Sequence, residues 1–289
     1  MKRHCFLILF AILISGCSRY FSTPHPDILY SKENDLKLDV YSPRNQQQPG
    51  NVIVFFHGGN WATGSKKLYR FLGRGMARKG IVAVIADYRL SPAANYKGMA
   101  MDAASAVKWV KDSIHRYGGD PNKIFVAGHS AGGQVAALIS TDCSYFDSVD
   151  ICNPIKGCVL IDPFGLDMYS YLKRNGKYKY DLYRSVFTKD SAEWKAGSPQ
   201  YHLRQGMPPM IVFRGGQTYP NIKFETKHFH EDLIKYQPDA KMIIVPGKRH
   251  AGMIFSFANP RKVAYRQIKD FMKTSLEREP QSGFNQTSR

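Results

Sequence analysis

Apolar residues in this chain gather into short unbroken runs. Val52-Ile53-Val54-Phe55-Phe56, Ile81-Val82-Ala83-Val84-Ile85, Ile124-Phe125-Val126-Ala127 and Gly157-Cys158-Val159-Leu160-Ile161 each read as a strand buried on both faces. Later strands are expected near Met210 and Lys241. Between the runs the period becomes helical, with Ala103, Ala106, Val107, Val110 and Ile114 aligned on one face of a segment from Met99 to Tyr117. Lys66 to Arg78, Phe224 to Tyr236 and Lys262 to Leu276 supply further helices. This alternation predicts an α/β fold, a mostly parallel twisted sheet with helices on both faces. One segment breaks it: residues 164–206 carry no strand pattern and contain Tyr169, Tyr171, Tyr178, Tyr180, Tyr183 and Tyr201. These residues are expected to form a cap-like insert, whose Phe187 and Trp194 either line a pocket or pin the insert onto the core.

Candidate chemistry sits at the ends of the predicted strands. Gly128-His129-Ser130-Ala131-Gly132 lies between a strand-like run and the small, helix-compatible stretch that follows, the context of a nucleophile elbow. A serine hydroxyl attacks a carbonyl when it is exposed, aimed and deprotonated by a neighbour, and a sharp strand-to-helix turn supplies the first two conditions. Upstream, Val52 to Phe56 runs into His57-Gly58-Gly59-Asn60-Trp61, where the Gly58-Gly59 pair can turn main-chain amides toward a ligand. Donors at Gly59 and Asn60 would converge with that of Ala131 on a developing oxyanion. Trp61, beside that loop, is a candidate pocket residue. Among nine histidines, His250 alone follows a late strand in the required chain order, and it is the candidate general base.

These segments, with Asp87-Tyr88-Arg89-Leu90, resemble the α/β-hydrolase superfamily, and within it the carboxylesterase and lipase-like branch that includes kynurenine formamidase and feruloyl or acetylxylan esterase relatives. The likeness runs from about Leu36 to Leu276. It implies an α/β-hydrolase fold, Ser130 as nucleophile, His250 as base, a small carboxylic ester as substrate, an acyl-enzyme intermediate and no cofactor. An arylformamide hydrolase with the same machinery, or a catalytically inactive binding protein, are the alternatives. The acid departs from the family pattern, because no carboxylate follows Met210-Ile211-Val212-Phe213; the chain there reads Arg214-Gly215-Gly216-Gln217-Thr218-Tyr219-Pro220-Asn221. Asp162, after the preceding strand, ranks first as a displaced acid, since a few hydrolases of this fold take their acid from that position. Its other reading is a turn cap before Pro163. Asp167, Thr218 or Asn221 remain as substitutes.

The N-terminus has a positive start at Lys2-Arg3-His4, an apolar stretch from Phe6 to Ile14 too short to span a bilayer, and small residues at Ile14-Ser15-Gly16-Cys17. It resembles a bacterial lipobox, which implies removal of residues 1–16, a lipid on Cys17 and a membrane partner; Ser18 suggests the outer membrane of a two-membrane host. Residues 17–28 then read as a tether, 29–276 as the hydrolase domain and 277–289 as a disordered tail. Formal charge is +18, but the basic residues are scattered without a nucleic-acid-binding motif, so anionic lipid or polysaccharide is the better partner class. Cys143, Cys152 and Cys158 show no metal-ligand spacing. In an exported chain a Cys143–Cys152 disulfide is the preferred pairing, with Cys158 in a core strand.

Overall fold

The computed structural model describes residues 22–44, 46–258 and 263–278. The leader, Cys17 and the tail beyond residue 278 lie outside these residues. Eight strands form one sheet: β1 (Ser22–Ser31), β2 (Leu36–Pro43), β3 (Gly50–Phe56), β4 (Val82–Ala86), β5 (Gly119–His129), β6 (Ile155–Ile161), β7 (Met210–Gly215) and β8 (Lys241–Val245). Their spatial order is β1-β2-β4-β3-β5-β6-β7-β8. β2 pairs antiparallel with β1 and β4, and every pairing from β4 to β8 is parallel.

The unbroken apolar runs follow from this arrangement, because successive side chains of a strand point to opposite faces and here both faces are covered. In β3, Val52, Val54 and Phe56 belong to one core while Ile53 and Phe55 belong to the other. The first core is closed by α2 (Tyr96–Ser113), α3 (Ala131–Thr141) and α7 (Pro220–Leu233); the second by α1 (Arg70–Ala77), α8 (His250–Ala258) and α9 (Val263–Glu277). The insert is helical, comprising α5 (Met168–Phe187), which breaks at Gly176 where φ is 67° and ψ −167°, and α6 (Ser191–Ala196), and a single-turn α4 spans Ser144–Asp147. Phe187 is fully buried against the rings of Trp61 and Tyr96. It therefore pins the insert to the core.

Two expectations are corrected. Residues 22–28 are part of edge strand β1 rather than of a tether. Pro24 and Pro26 suggested an unstructured linker, yet an edge strand tolerates proline because one side of its backbone has no neighbour to bond. Asp27, with φ 56°, marks the irregularity in the pairing with β2; its carboxylate reaches buried Lys66 at 2.6 Å, and Lys66 also meets Asp39 at 2.5 Å. The N-terminal strand is thus tied, through the exposed Asp27 carboxylate, to the buried Lys66–Asp39 pair. Cys143, Cys152 and Cys158 are all free thiols, the first two exposed and the third buried, so the expected disulfide is not formed.

Candidate active site

Ser130 sits where β5 gives way to α3, with φ 54° and ψ −123°. A non-glycine residue in such a sparsely populated region costs about 1–3 kcal/mol and persists only when its surroundings fix it. Here the flanking glycines do so. A Cβ on Gly128 would stand 2.0 Å from the Gly132 carbonyl oxygen, and one on Gly132 would stand 2.2 Å from that of Phe56. Those approaches are open only to glycine at both positions, which is the physical content of the G-x-S-x-G spacing. The Ser130 amide donates to the Ile161 carbonyl at 3.2 Å and the Ser130 carbonyl accepts from Phe164 at 3.1 Å, tying the elbow to the end of β6.

His250 opens α8. Its Nε2 is 2.9 Å from Ser130 Oγ and its Nδ1 is 2.6 Å from Asp162 Oδ2. Asp162 is fully buried and immediately follows β6. Its Oδ1 accepts the Gly215 amide at 2.7 Å, and its Oδ2 also accepts the Thr218 hydroxyl. The departure from the family pattern has a simple geometric basis. β6 and β7 are adjacent and parallel, with Ile161 opposite Phe213, and neighbouring strands are under 5 Å apart, roughly 4.8 Å. An acid at the end of either strand can reach the same imidazole. The late-strand turn lacks its own carboxylate and instead supplies Gly215 and Thr218 as donors to the displaced one. Asp167 plays a different part: it caps α5, accepting from the Ser170 amide at 3.0 Å. Asn221 lines the cleft.

Gly58, Gly59 and Asn60 line the cleft beside Ser130, and Ala131 begins α3 directly after it. The four are not equivalent. The Gly58 amide already donates to the Tyr69 hydroxyl at 3.1 Å, which removes it from the expected oxyanion donors and leaves Gly59, Asn60 and Ala131. Trp61 is a second correction. It is fully buried, its indole Nε1 donates to Gln134 Oε1 at 2.9 Å, and its ring lies 5.5 Å from that of Phe164 and 5.1 Å from that of Phe187. Asn60 and Trp61 both adopt positive φ, 51° and 60°, and the loop thereby turns the indole inward to anchor the insert instead of facing substrate.

The cleft over Ser130 has a volume of about 690 Å³. Its walls include Leu68, Phe164, Tyr171, Tyr183, Tyr219 and Ile222, and among the described residues no Asp, Glu, Lys or Arg lines it. Tyr171 and Tyr183 come from the insert, as expected of a cap. Three residues that sequence reasoning did not single out as functional complete the surroundings. Tyr69 and His129 lie in the wall. Glu225, on α7, is buried and accepts the Gly165 and Leu166 amides at 2.9 and 3.1 Å; burial pushes its carboxyl up to about 8. An acidic residue within an amphipathic helix gives no outward sign that it faces inward.

The sequence matches the BD-FAE family model over residues 38–231. It is 36% identical over 271 residues to a probable isoprenylcysteine alpha-carbonyl methylesterase of Oryza sativa subsp. japonica, covering 84% of this chain and 64% of that protein. A probable methylesterase of the same description from Arabidopsis thaliana is 30% identical over 250 residues, covering 81% of this chain and 52% of its own length. The chain thus spans between about half and two thirds of these relatives. Among solved structures, a thermophilic esterase from the Planctomycetes species Thermogutta terrifontis superposes with a TM-score of 0.68 at 26% identity, covering 90% of this chain and 92% of that one. With an eight-stranded mixed sheet, helices on both faces and a serine at the strand-to-helix turn, the chain has the α/β-hydrolase fold and belongs to the BD-FAE family.

Proposed function

We propose that this protein is a serine carboxylesterase that hydrolyses small uncharged carboxylic esters through an acyl-enzyme. The observation that carries the reading is the unbroken line of contacts from Ser130 Oγ through His250 to Asp162, at 2.9 and 2.6 Å. As Oγ attacks the ester carbonyl, His250 Nε2 takes its proton, and the imidazolium keeps its Nδ1–H on the Asp162 carboxylate, which balances the new charge. The amides of Gly59, Asn60 and Ala131 receive the oxyanion. Collapse returns the proton from Nε2 to the departing alkoxide, and water then releases the acid by the same route. Charge-free, aromatic walls favour a neutral ester over a charged one. An inactive binding protein loses its main support, since that reading rested on the missing late-strand acid.

Turnover of p-nitrophenyl acetate and butyrate by wild type and Ser130→Ala tests the proposal. Wild-type activity with a loss of at least about 10³-fold in the variant is expected; equal turnover by the two would overturn it. We further propose that a lipid on Cys17 holds the domain at the cell envelope, at the outer membrane of a two-membrane host. The lipobox-like Ile14-Ser15-Gly16-Cys17 supports this. Cys17→Ser is expected to release the protein from membranes, and continued retention of a processed variant would contradict the anchor.

A further inference from the structure

His129, the elbow residue before the serine, points into a chain of polar contacts that the triad does not use. Its Nε2 lies 3.2 Å from the main-chain carbonyl of His250, and its Nδ1 lies 3.2 Å from the Tyr69 hydroxyl. The Tyr69 oxygen also accepts the Gly58 amide at 3.1 Å. One atom fixes every proton in this chain. A carbonyl oxygen only accepts, so His129 Nε2 must carry the hydrogen; the neutral ring then has its lone pair on Nδ1, and the Tyr69 O–H must donate to it. Burial first, and then the neighbouring His250, push the His129 imidazole down to about 4, which keeps the ring neutral at working pH.

We infer that Tyr69 and His129 form a positioning relay that ties the oxyanion loop to the backbone of the catalytic histidine. The inference rests on the serine-esterase reading above. Gly58 is held at both ends, its amide by Tyr69 and its carbonyl by His57 Nδ1 at 2.9 Å. Both peptide units that meet at Gly58 are held, and the second of them carries the Gly59 amide, so the donors at Gly59 and Asn60 have one orientation beside Ser130; a Cβ on Gly58 would stand 3.1 Å from Ser130 Cβ, so the two segments are in close apposition. At the other end of the relay the His129 ring stacks on the His250 ring with centroids 4.7 Å apart. The bond to the His250 carbonyl and the stacked face together fix where the imidazole stands over Ser130.

The chemistry explains why a histidine occupies the position. The relay needs a donor and an acceptor diverging from opposite sides of one rigid side chain. Imidazole provides both, whereas asparagine reaches only toward the Tyr69 side and glutamine only toward the carbonyl side.

Tyr69→Phe removes one oxygen and leaves the ring that packs on Phe55. With p-nitrophenyl acetate, kcat is expected to fall about 10- to 100-fold with KM within about threefold, because the relay acts on groups that meet the developing charge. Affinity for an alkyl trifluoromethyl ketone, which carries an oxyanion when bound, should fall in the same proportion, and the melting temperature should stay within a few degrees. His129→Gln should show the same signature more weakly, and the double variant should fall no further than the larger single one, because both substitutions break one chain of bonds. Tyr69→Phe with wild-type kcat and ketone affinity would overturn the relay, as would effects that multiply in the double variant. Should Tyr69→Phe fail to fold, His129→Gln decides by the same measurements, with unchanged kcat as the contrary result. An inactive wild type, or a Ser130→Ala variant equal to it, would instead remove the esterase reading itself.

Discussion

The turn after β5 and the turn after β7 do opposite kinds of work. The first is strained: Ser130 occupies a positive φ between two glycines whose missing Cβ atoms let three backbone segments close around it. The second is relaxed and supportive; Gly215 and Thr218 donate to a carboxylate that belongs to the neighbouring strand. A nucleophile has to be aimed, so its turn permits few residues. The acid can move one strand along the sheet while the imidazole stays in place, although Asp162 itself takes a positive φ of 46° there. The strained turn is therefore visible in sequence as a fixed spacing, and the supportive one is not.

Substitutions at the two turns and at the carboxylate between them sharpen the contrast. The largest effect is expected from Asp162→Asn, which keeps the shape but removes the charge facing His250 Nδ1; kcat should fall by about 10³- to 10⁴-fold in a p-nitrophenyl ester assay, while Asp167→Asn, at a helix cap that asparagine serves equally well, should leave kcat unchanged. The reverse pattern would return the acid role to Asp167. Next comes acid stability. The His129 imidazole is pushed down to about 4 in the folded protein and returns to an ordinary value near 6.5 on unfolding. The unfolded chain thus binds the extra proton first. Stability from this group is full above about pH 6.5 and is lost as pH falls toward about 4, by roughly 3 kcal/mol. Urea unfolding of wild type and His129→Gln at pH 7 and pH 4.5 should show the gap narrowing or reversing in favour of the variant at the lower pH; a constant gap would contradict the neutral, buried ring. The smallest effect belongs to Thr218→Val, which removes one donor to Asp162. A loss of about 3- to 10-fold in kcat is expected, and a loss as large as that of Asp162→Asn would mean that the supportive turn does more than hold the carboxylate.

The same distinction explains what could be read from residues alone. Buried strands announce themselves when both faces are covered, because every side chain must then be apolar; β3 to β7 were legible for that reason, and Ser130 and His250 followed from the order of the strand ends. Asp162 was legible only as a ranking, since its role depends on the adjacency of β6 and β7. Trp61 was misread as a pocket residue because three successive positive-φ residues, Gly59 to Trp61, reverse the direction in which its indole points, and no local pattern encodes that. β1 was misread because its prolines and polar residues are compatible with a linker, whereas its order comes from pairing with β2 and from Asp27 meeting Lys66. Tyr69 carries no motif at all. Its hydroxyl acquires meaning only when Gly58 and His129 are brought to either side of it.

The central claim is that Ser130 is the activated nucleophile of this cleft, and covalent capture tests it most directly. Treatment with diethyl p-nitrophenyl phosphate, followed by intact-mass measurement and peptide mapping, should add a single diethylphosphoryl group on Ser130, with none on the Ser130→Ala protein and much slower addition to Asp162→Asn. Modification at another residue, or an unlabelled Ser130 in folded wild-type protein, would contradict the account.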